Sequence, residues 1–281
     1  MPLIHVNGID LYVETEGEGP PLLLLHGFTG STATWRALIP AFRQSFQTIA
    51  VDLIGHGRSS APHDADRYRM DLCIADLLAL LDALGVAETA VIGYSMGGRT
   101  ALHLAAAAPE RVRALVLEGA SPGIADPKER EQRRQADEVL ARRIETEGME
   151  AFVRHWENLP LFATQKALPP EVRETLRRQR LQQRPHGLAG SLRGMGTGVM
   201  EPLHDRLASL PMPVLLIAGE HDEKYRAIAH AMAKALPRAQ TAIIPGAGHN
   251  VHLEKPEAFG ACVMNFLLEH GRGPSAGAAG R

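Results

Sequence analysis

The chain has little cysteine and no strong excess of either charge. Its 281 residues include two cysteines, Cys73 and Cys262, which lack the spacing of metal ligands. Lysine and arginine number 30 against 32 acidic residues, so the formal net charge is -2. No basic surface for nucleic acid is indicated. We therefore expect two buried free thiols, as in a reducing cytosol, and neither a bound metal ion nor a nucleic-acid partner.

Long hydrophobic runs are also missing. The longest early run, residues 22–25, is far shorter than a membrane span, and no charged segment followed by an apolar core opens the chain. We expect a cytoplasmic protein without a membrane partner. Hydrophobic residues still form 45% of the chain, which is enough for a large core. The small-residue stretch GRGPSAGAAGR, residues 271–281, predicts a disordered tail.

Short apolar runs bounded by turn residues alternate with segments of helical period. The runs include PLLLLHGF, FQTIAVDL, TAVIGYS, VRALVLEG and PVLLIAGE. This alternation predicts an α/β fold with a mostly parallel, doubly wound sheet. Residues 121–201 show no strand pattern and predict a helical lid inserted between two parts of the core, residues 1–120 and 202–270. Ligands bind at the carboxyl ends of parallel strands, so the lid is expected to cover the site.

The stretch GYSMGGR predicts a nucleophile elbow. Its serine, Ser95, stands between two glycines where the strand TAVIG ends and a helical segment begins, which is the context this motif needs. The backbone amides of Met96, at the helix N-terminus, and of Phe28, in the loop HGFTG, are the predicted oxyanion-hole donors. A purely structural glycine turn is the alternative interpretation.

An activated serine needs a histidine base and a carboxylate that orients it, in the chain order Ser, Asp/Glu, His. Asp222 follows the strand VLLIAGE, and His249 lies in the loop PGAGHNVH after the next strand. Both are therefore predicted at the sheet edge that carries Ser95. The alternatives are Glu220 and Glu223 for the carboxylate and His252 for the base. Three further histidines are expected to have structural roles: His26, His56 and His103.

Arg99 departs from the pattern of a simple esterase. It follows Ser95 by four residues, and residues at that spacing lie on one face of a helix. A full positive charge beside the serine predicts a site that binds an anion. The alternative is a buried ion pair with a carboxylate.

The lid contributes further candidate arginines. Residues 126–184 hold 11 arginines but also 11 acidic residues, so the count alone does not indicate an anion site. Arg133 and Arg180 each continue an apolar helix stripe, which predicts that both line a cavity. The stripes are Ala136, Leu140 and Ile144, and Val172 and Leu176. The alternatives are a surface pair of Arg133 with Asp137 and an Arg180 that extends from a helix end into solvent. Trp156 either walls the same cavity or packs in the lid.

Together these motifs resemble one family. The stretches GHGRS, GYSMGGR, LEGASPG, WENLPLF, LRGMGTG, GEHDEKY and GAGHNVH are similar to those of the 2-succinyl-6-hydroxy-2,4-cyclohexadiene-1-carboxylate synthases of menaquinone biosynthesis, which have the α/β-hydrolase fold. The resemblance extends to about residue 268 and includes the lid. The motif HGF and the G-x-S-x-G pattern are common to the superfamily, whereas the arginines and WENLPLF point to this branch.

The resemblance implies a lyase that needs no cofactor. Such an enzyme eliminates pyruvate from 2-succinyl-5-enolpyruvyl-6-hydroxy-3-cyclohexene-1-carboxylate. It implies a catalytic triad of Ser95, Asp222 and His249. It also implies that substrate is bound by five side chains: Tyr94, Arg99, Arg133, Trp156 and Arg180. Three arginines suit the three carboxylates of this small polycarboxylate substrate, because guanidinium groups bind carboxylates bidentately. Ser95 would then act as a general base.

Two other functions fit the same motifs. A carboxylesterase or carbon–carbon bond hydrolase would use Ser95 as a nucleophile, and fold alone does not separate it from a lyase. A ligand receptor that has lost catalysis is the third possibility, which an intact triad disfavours. The lid arginines are the feature that discriminates among these functions.

Overall fold

The computed structural model describes residues 3–271, and eight β-strands run through them. The predicted tail, apart from residue 271, lies outside the described residues. The strands are β1 (Leu3–Val6), β2 (Ile9–Glu16), β3 (Pro21–Leu25), β4 (Gln47–Val51), β5 (Thr89–Tyr94), β6 (Val112–Glu118), β7 (Val214–Gly219) and β8 (Ala239–Ile244). The strands from β3 to β7 are short, mostly apolar and almost entirely buried, as expected for strands covered on both faces.

The strands form one sheet in the order β1-β2-β4-β3-β5-β6-β7-β8. The β1–β2 and β2–β4 pairs are antiparallel, and every later pair is parallel. The predicted mostly parallel α/β sheet is therefore confirmed. Since β3, β5, β6, β7 and β8 are parallel, their carboxyl ends meet at one edge, where ligands bind in such sheets.

Nine helices accompany the sheet in the described part of the chain. They are α1 (Ile39–Phe42), α2 (Met70–Ala83), α3 (Met96–Ala107), α4 (Pro127–Trp156), α5 (Pro170–Leu181), α6 (Pro185–Met195), α7 (Glu223–Ala235), α8 (Val251–Glu254) and α9 (Pro256–His270). Within residues 3–271, none of these helices combines the length and the apolar character that crossing a membrane requires.

Helices cover both faces of the sheet. Alternate residues of β3 show this, because Leu23 and Leu25 pack into the core with α2, α3 and α7, while Leu22 and Leu24 pack into the core with α1 and α9. All four leucines are fully buried. The doubly wound arrangement predicted from the sequence is thus the one observed.

The long connection between β6 and β7 is helical in the structure. It contains α4, a 3₁₀ helix at Pro160–Ala167, α5 and α6. Its own small core lies between α4 and α6 and includes Ile144, Phe152 and Leu188. Gly148 interrupts α4 with a φ of 78°, a conformation that favours glycine. The connection starts at the sheet edge that carries the predicted site, and it returns close to its start where the Leu203 amide donates to the Pro122 carbonyl over 2.7 Å. We refer to residues 121–201 within it as the lid.

Candidate active site

Ser95 lies at a strained turn between β5 and α3. Its φ is +50° and its ψ is −105°, outside the regions that non-glycine residues usually adopt. The turn is possible because Gly97 lacks a side chain: a Cβ there would overlap the backbone oxygen of Leu25 on β3. The Ser95 amide donates to the Glu118 carbonyl of β6 over 2.8 Å, which fixes the turn to the sheet.

The structure brings Ser95, His249 and Asp222 into one hydrogen-bonded chain. The Asp222 Oδ2 and His249 Nδ1 atoms are 2.7 Å apart, and His249 Nε2 lies 3.1 Å from Ser95 Oγ. His249 and Asp222 are buried. Asp222 also caps α7, because its Oδ1 accepts from the amide of Tyr225. This geometry lets His249 take the proton of Ser95 while the carboxylate holds the ring in place.

The alternative bases and carboxylates have other partners. Glu220 accepts from the amide of Gly246, and Glu223 begins α7. His252 pairs with the buried Glu118 over 2.7 Å rather than with Ser95. The three histidines expected to be structural also lie away from Ser95 Oγ. His26 Nε2 accepts from the Leu53 amide, and His56 Nδ1 donates to the Ile54 carbonyl.

Phe28 and Met96 take the positions expected for oxyanion donors. Met96 begins α3 immediately after Ser95, and Phe28 follows the end of β3. Neither backbone amide donates to another backbone carbonyl within the described residues. Both amides therefore remain predicted donors for an oxygen placed beside Ser95 Oγ.

A cavity of about 400 Å³ opens beside this site, between the sheet edge and the lid. Four of the predicted side chains line it: Phe28, Tyr94, Trp156 and Arg180. The Trp156 ring packs against Phe28 at 5.3 Å between ring centres, and its Nε1 finds no hydrogen-bond acceptor among the described residues. Trp156 therefore lines the cavity while its Nε1 is buried without a partner in the described part of the chain.

Arg180 is buried, with 4% of its surface exposed, and so does not extend into solvent. Its guanidinium lies over the ring of Phe162 and donates to Gln165 Oε1 over 3.2 Å. Glu157 stands 3.6 Å away, and burial lowers the pKa of Arg180 in spite of that carboxylate. The Nε atom has no partner among residues 3–271. A desolvated guanidinium with a free donor is suited to bind a carboxylate.

Arg99 and Arg133 lie apart from this cavity. Arg99 Nη1 donates to the Met195 carbonyl over 3.3 Å, and burial lowers the pKa of this guanidinium, as does the nearby charge of Arg133. Burial raises the pKa of the Tyr225 hydroxyl, and the charges of Arg99 and Arg133 oppose that shift. The Tyr225 ring lies 4.6 Å from the ring of His249. Arg99 and Arg133 thus lie on the side of His249 where Tyr225 packs.

Arg133 forms the ion pair that the sequence offers as the alternative. Its Nε lies 2.8 Å from Asp137 Oδ1, and 43% of its side chain is exposed. The predicted apolar stripe was wrong in one member, because Ala136 is exposed whereas Asp137, Ala141 and Ile144 are buried. The reason is that Asp137 turns toward the loop after α6, where its buried Oδ2 lies close to Gly196.

Aromatic side chains around His249 were not predicted as a group. The rings of Tyr94, Phe162 and Tyr225 lie 5.4, 6.2 and 4.6 Å from the imidazole. Burial raises the pKa of Tyr94 well above its usual value, so its hydroxyl stays protonated. Tyr225 stands in the stretch GEHDEKY, three residues after Asp222, and this spacing is the sequence signal that could have identified it.

Comparison with known proteins agrees with this geometry. Residues 20–256 match the alpha/beta hydrolase fold family. The chain is 43% identical to a protein of Bacillus subtilis (strain 168) provisionally named 2-succinyl-6-hydroxy-2,4-cyclohexadiene-1-carboxylate synthase, over 93% of this chain and 96% of that protein. A synthase of that name from Klebsiella pneumoniae (strain 342) is 33% identical, over 88% and 94%.

A solved structure is also similar. MenH from S. aureus superposes with a TM-score of 0.88 at 36% sequence identity, covering 92% of this chain and 98% of that one. The matches include the lid as well as the sheet, since they span nearly the whole of both chains. The chain therefore belongs to the 2-succinyl-6-hydroxy-2,4-cyclohexadiene-1-carboxylate synthase family of the α/β-hydrolase fold.

Proposed function

We propose that this protein is a lyase that eliminates pyruvate from 2-succinyl-5-enolpyruvyl-6-hydroxy-3-cyclohexene-1-carboxylate. The product is 2-succinyl-6-hydroxy-2,4-cyclohexadiene-1-carboxylate, an intermediate of menaquinone biosynthesis. The observation that carries the proposal is the pairing of a hydrogen-bonded Ser95–His249–Asp222 chain with a buried guanidinium, Arg180, in the adjacent cavity. An esterase of neutral substrates has no use for a desolvated positive charge in its binding cavity.

In the proposed reaction Ser95 acts as a general base. His249 Nε2 takes the proton of Ser95 Oγ, and the oxygen removes the proton from the ring carbon beside the succinyl carbonyl. The electron pair moves onto the carbonyl oxygen, which the amides of Phe28 and Met96 stabilise. Each such donor contributes about 3 kcal/mol in comparable sites. When the enolate collapses, its electron pair forms the C2–C3 double bond, the C3–C4 double bond shifts to C4–C5, and the bond from C5 to oxygen breaks. The departing enolate takes up a proton at carbon to become pyruvate.

The substrate carboxylates are proposed to bind the three arginines. Arg180 lines the cavity, where Tyr94 and Trp156 would enclose the ligand. Arg99 and Arg133 are proposed to bind substrate carboxylates on the side of His249 where Tyr225 packs. For Arg133 the substrate must share the guanidinium with Asp137, because those two side chains are already paired. No cofactor takes part in this proposal.

The first prediction concerns Ser95. Supplied with the succinyl-enolpyruvyl substrate, the wild-type protein should release pyruvate, followed with a coupled dehydrogenase assay. Ser95→Ala should lower kcat by about 10³-fold or more, because the base and the hydroxyl act as one unit. Ser209→Ala, at an exposed serine between the lid and β7, is the control and should keep wild-type activity.

The hydrolase alternative gives a different result in the same assay. If Ser95 were a nucleophile for esters, simple esters would turn over rapidly and pyruvate would not be released. An acyl-enzyme would then accumulate on Ser95 and be visible by mass spectrometry. Release of pyruvate without a covalent intermediate supports the lyase.

A further inference from the structure

A second buried acid–histidine pair lies beside the first. Glu118, at the end of β6, has no exposed surface, and its Oε2 lies 2.7 Å from His252 Nδ1. Its Oε1 accepts from the backbone amide of His252 over 3.0 Å. The Asp222–His249 pair has the same Nδ1-to-carboxylate distance. Helix α8, which directly follows the loop of His249, therefore presents a second oriented imidazole three residues later.

The imidazole of His252 lies among aromatic rings at the wall of the cavity. Its ring is enclosed by Trp35 at 5.0 Å, Tyr94 at 4.7 Å and Phe259 at 5.9 Å. His252 nevertheless lines the cavity that holds Tyr94 and Arg180. Glu118 occupies Nδ1. Nε2 makes no hydrogen bond within the described residues and, unlike the unpaired Nε1 of Trp35, it is not fully buried. If His252 served only to hold this segment in place, its Nε2 would not need to lie at the cavity wall.

Glu118 determines what that atom can do. An ionised carboxylate only accepts hydrogen bonds, so Nδ1 must be the donor. In the neutral imidazole the proton on Nδ1 leaves Nε2 with a lone pair, and Nε2 is then an acceptor. An acceptor at the cavity wall requires a hydrogen-bond donor on the ligand. The substrate carboxylates, which are proposed to bind the arginines, have no proton to donate.

We propose that His252 Nε2 accepts a hydrogen bond from the ring hydroxyl of the substrate and so determines specificity for a hydroxylated ring. This inference rests on the proposed function. The substrate carries three carboxylates, a ketone, an enol ether and one hydroxyl, and the hydroxyl at C6 is its only hydrogen-bond donor. His252 thus matches the one group that the arginines cannot recognise, and Glu118 is a positioning residue for it.

Substrate analogues test the contact in the wild-type protein. The 6-deoxy and 6-O-methyl analogues both lack the donor, and each should release pyruvate with a kcat/KM about 100-fold lower than the full substrate. The loss should be shared by both analogues, because the missing hydrogen bond leaves a buried acceptor unpaired. If kcat/KM for the 6-deoxy compound equals that of the full substrate, His252 does not bind the hydroxyl.

Two variants assign the effect to His252. The double variant His252→Phe with Glu118→Leu removes the pair without leaving a buried charge. Its preference for the full substrate over the 6-deoxy analogue should fall to about 1, while pyruvate is still released. The control is His103→Phe, on α3 and outside the cavity, which should keep the 100-fold preference. A double variant that retains the wild-type preference overturns the proposal.

Nitrogen-15 NMR of the histidines separates this inference from the proposed function. His252 should show a proton on Nδ1 and a lone pair on Nε2 at neutral pH. An imidazolium with protons on both nitrogens would overturn the proposal, because Nε2 would then donate to a carboxylate. If the wild type releases no pyruvate from the full substrate, the proposed function fails, while the NMR measurement still decides whether Nε2 is an acceptor.

Discussion

Arg133 and Arg180, the two lid arginines predicted to bind substrate, each have a carboxylate from the lid beside them. Arg133 is paired with Asp137 at 2.8 Å, and Arg180 has Glu157 at 3.6 Å. Burial raises the pKa of Asp137, against the effect of Arg133. The guanidinium groups are therefore partly neutralised before any ligand binds. A substrate carboxylate must compete with these internal acids for the arginines.

Replacing Glu157 tests this competition. Glu157→Gln keeps the shape of the side chain and removes one negative charge near Arg180, so the anionic substrate should bind more tightly. We expect KM to fall about five-fold, which corresponds to about 1 kcal/mol. Steady-state kinetics of pyruvate release measure this, and kcat should change little, because the charge acts on binding.

Glu150→Gln is the matched control for Glu157. Glu150 contacts Arg177 at 3.3 Å, as Glu157 does at 2.8 Å, but only Glu157 also approaches Arg180. The control should therefore leave KM unchanged. Equal changes in the two variants would mean that the lid responds to its total charge and that Arg180 is not singled out.

At the residue scale, the sequence predicts groups whose position the backbone determines. Ser95 follows from glycines that a strand-to-helix turn requires, and His249 follows from a loop at the same sheet edge. The partners of Arg133 and Arg180 depend instead on side-chain packing between distant segments. The pair of Glu118 and His252 joins residues 134 positions apart, and no local pattern indicates it.

At the scale of elements, the strands were the most predictable part. β3 and the middle of β5 are apolar because both of their faces are buried, so a short apolar run bounded by turns identifies them. Helix α4 was harder, since its inner face includes Asp137 as well as Ala141. A buried acid on an otherwise apolar stripe shifts the apparent face by about one residue.

The loop after α6 holds α4 by close backbone contact. A Cβ on Gly198 would overlap the backbone nitrogen and Cα of Arg134 in the second turn of α4. Only glycine allows the loop to approach so closely. Since Arg133 and Asp137 stand on this part of α4, the distance between loop and helix determines where the ion pair lies.

Gly198→Ala should displace this part of α4. We expect KM for the anionic substrate to rise about ten-fold, because Arg133 and Asp137 move, and the free energy of unfolding to fall by about 1–3 kcal/mol. Hydrolysis of a small neutral ester, if measurable, should change less than two-fold, since Ser95 and His249 stay in place. Steady-state kinetics and urea titration provide the two measurements.

Gly260→Ala is the control for that substitution. Gly260 lies in α9, where a Cβ would meet only Leu38 Cδ2 at 3.4 Å, and alanine favours a helix over glycine. Its kinetics should match the wild type and its stability should be equal or higher. A KM for Gly198→Ala that equals the wild-type value would show that the contact between loop and helix does not position Arg133.

At the scale of the whole molecule, several histidines are buried without a compensating charge. Burial lowers the pKa of His56 to about 3, and the neighbouring His26 contributes to that shift. Burial together with the charge of Arg99 lowers the pKa of His103 to about 4. The pKa of His26 is also lowered, mainly by burial. Because their folded pKa values lie below that of the unfolded chain, these side chains couple the stability of the fold to pH.

Stability should therefore fall on mild acidification. Between an unfolded pKa near 6.5 and the folded values, the unfolded chain binds protons that the folded chain does not, so the free energy of unfolding decreases as pH falls. Each such histidine contributes up to about 1.4 kcal/mol per pH unit. Urea titrations at pH 7, 6, 5 and 4 should show this slope. In His56→Gln the free energy of unfolding should depend less on pH down to about pH 3, and in His103→Gln only down to about pH 4. In each variant the unfolded chain no longer binds the proton that the wild-type histidine takes up when the protein unfolds. Slopes identical to that of the wild type would place the acid sensitivity in other groups.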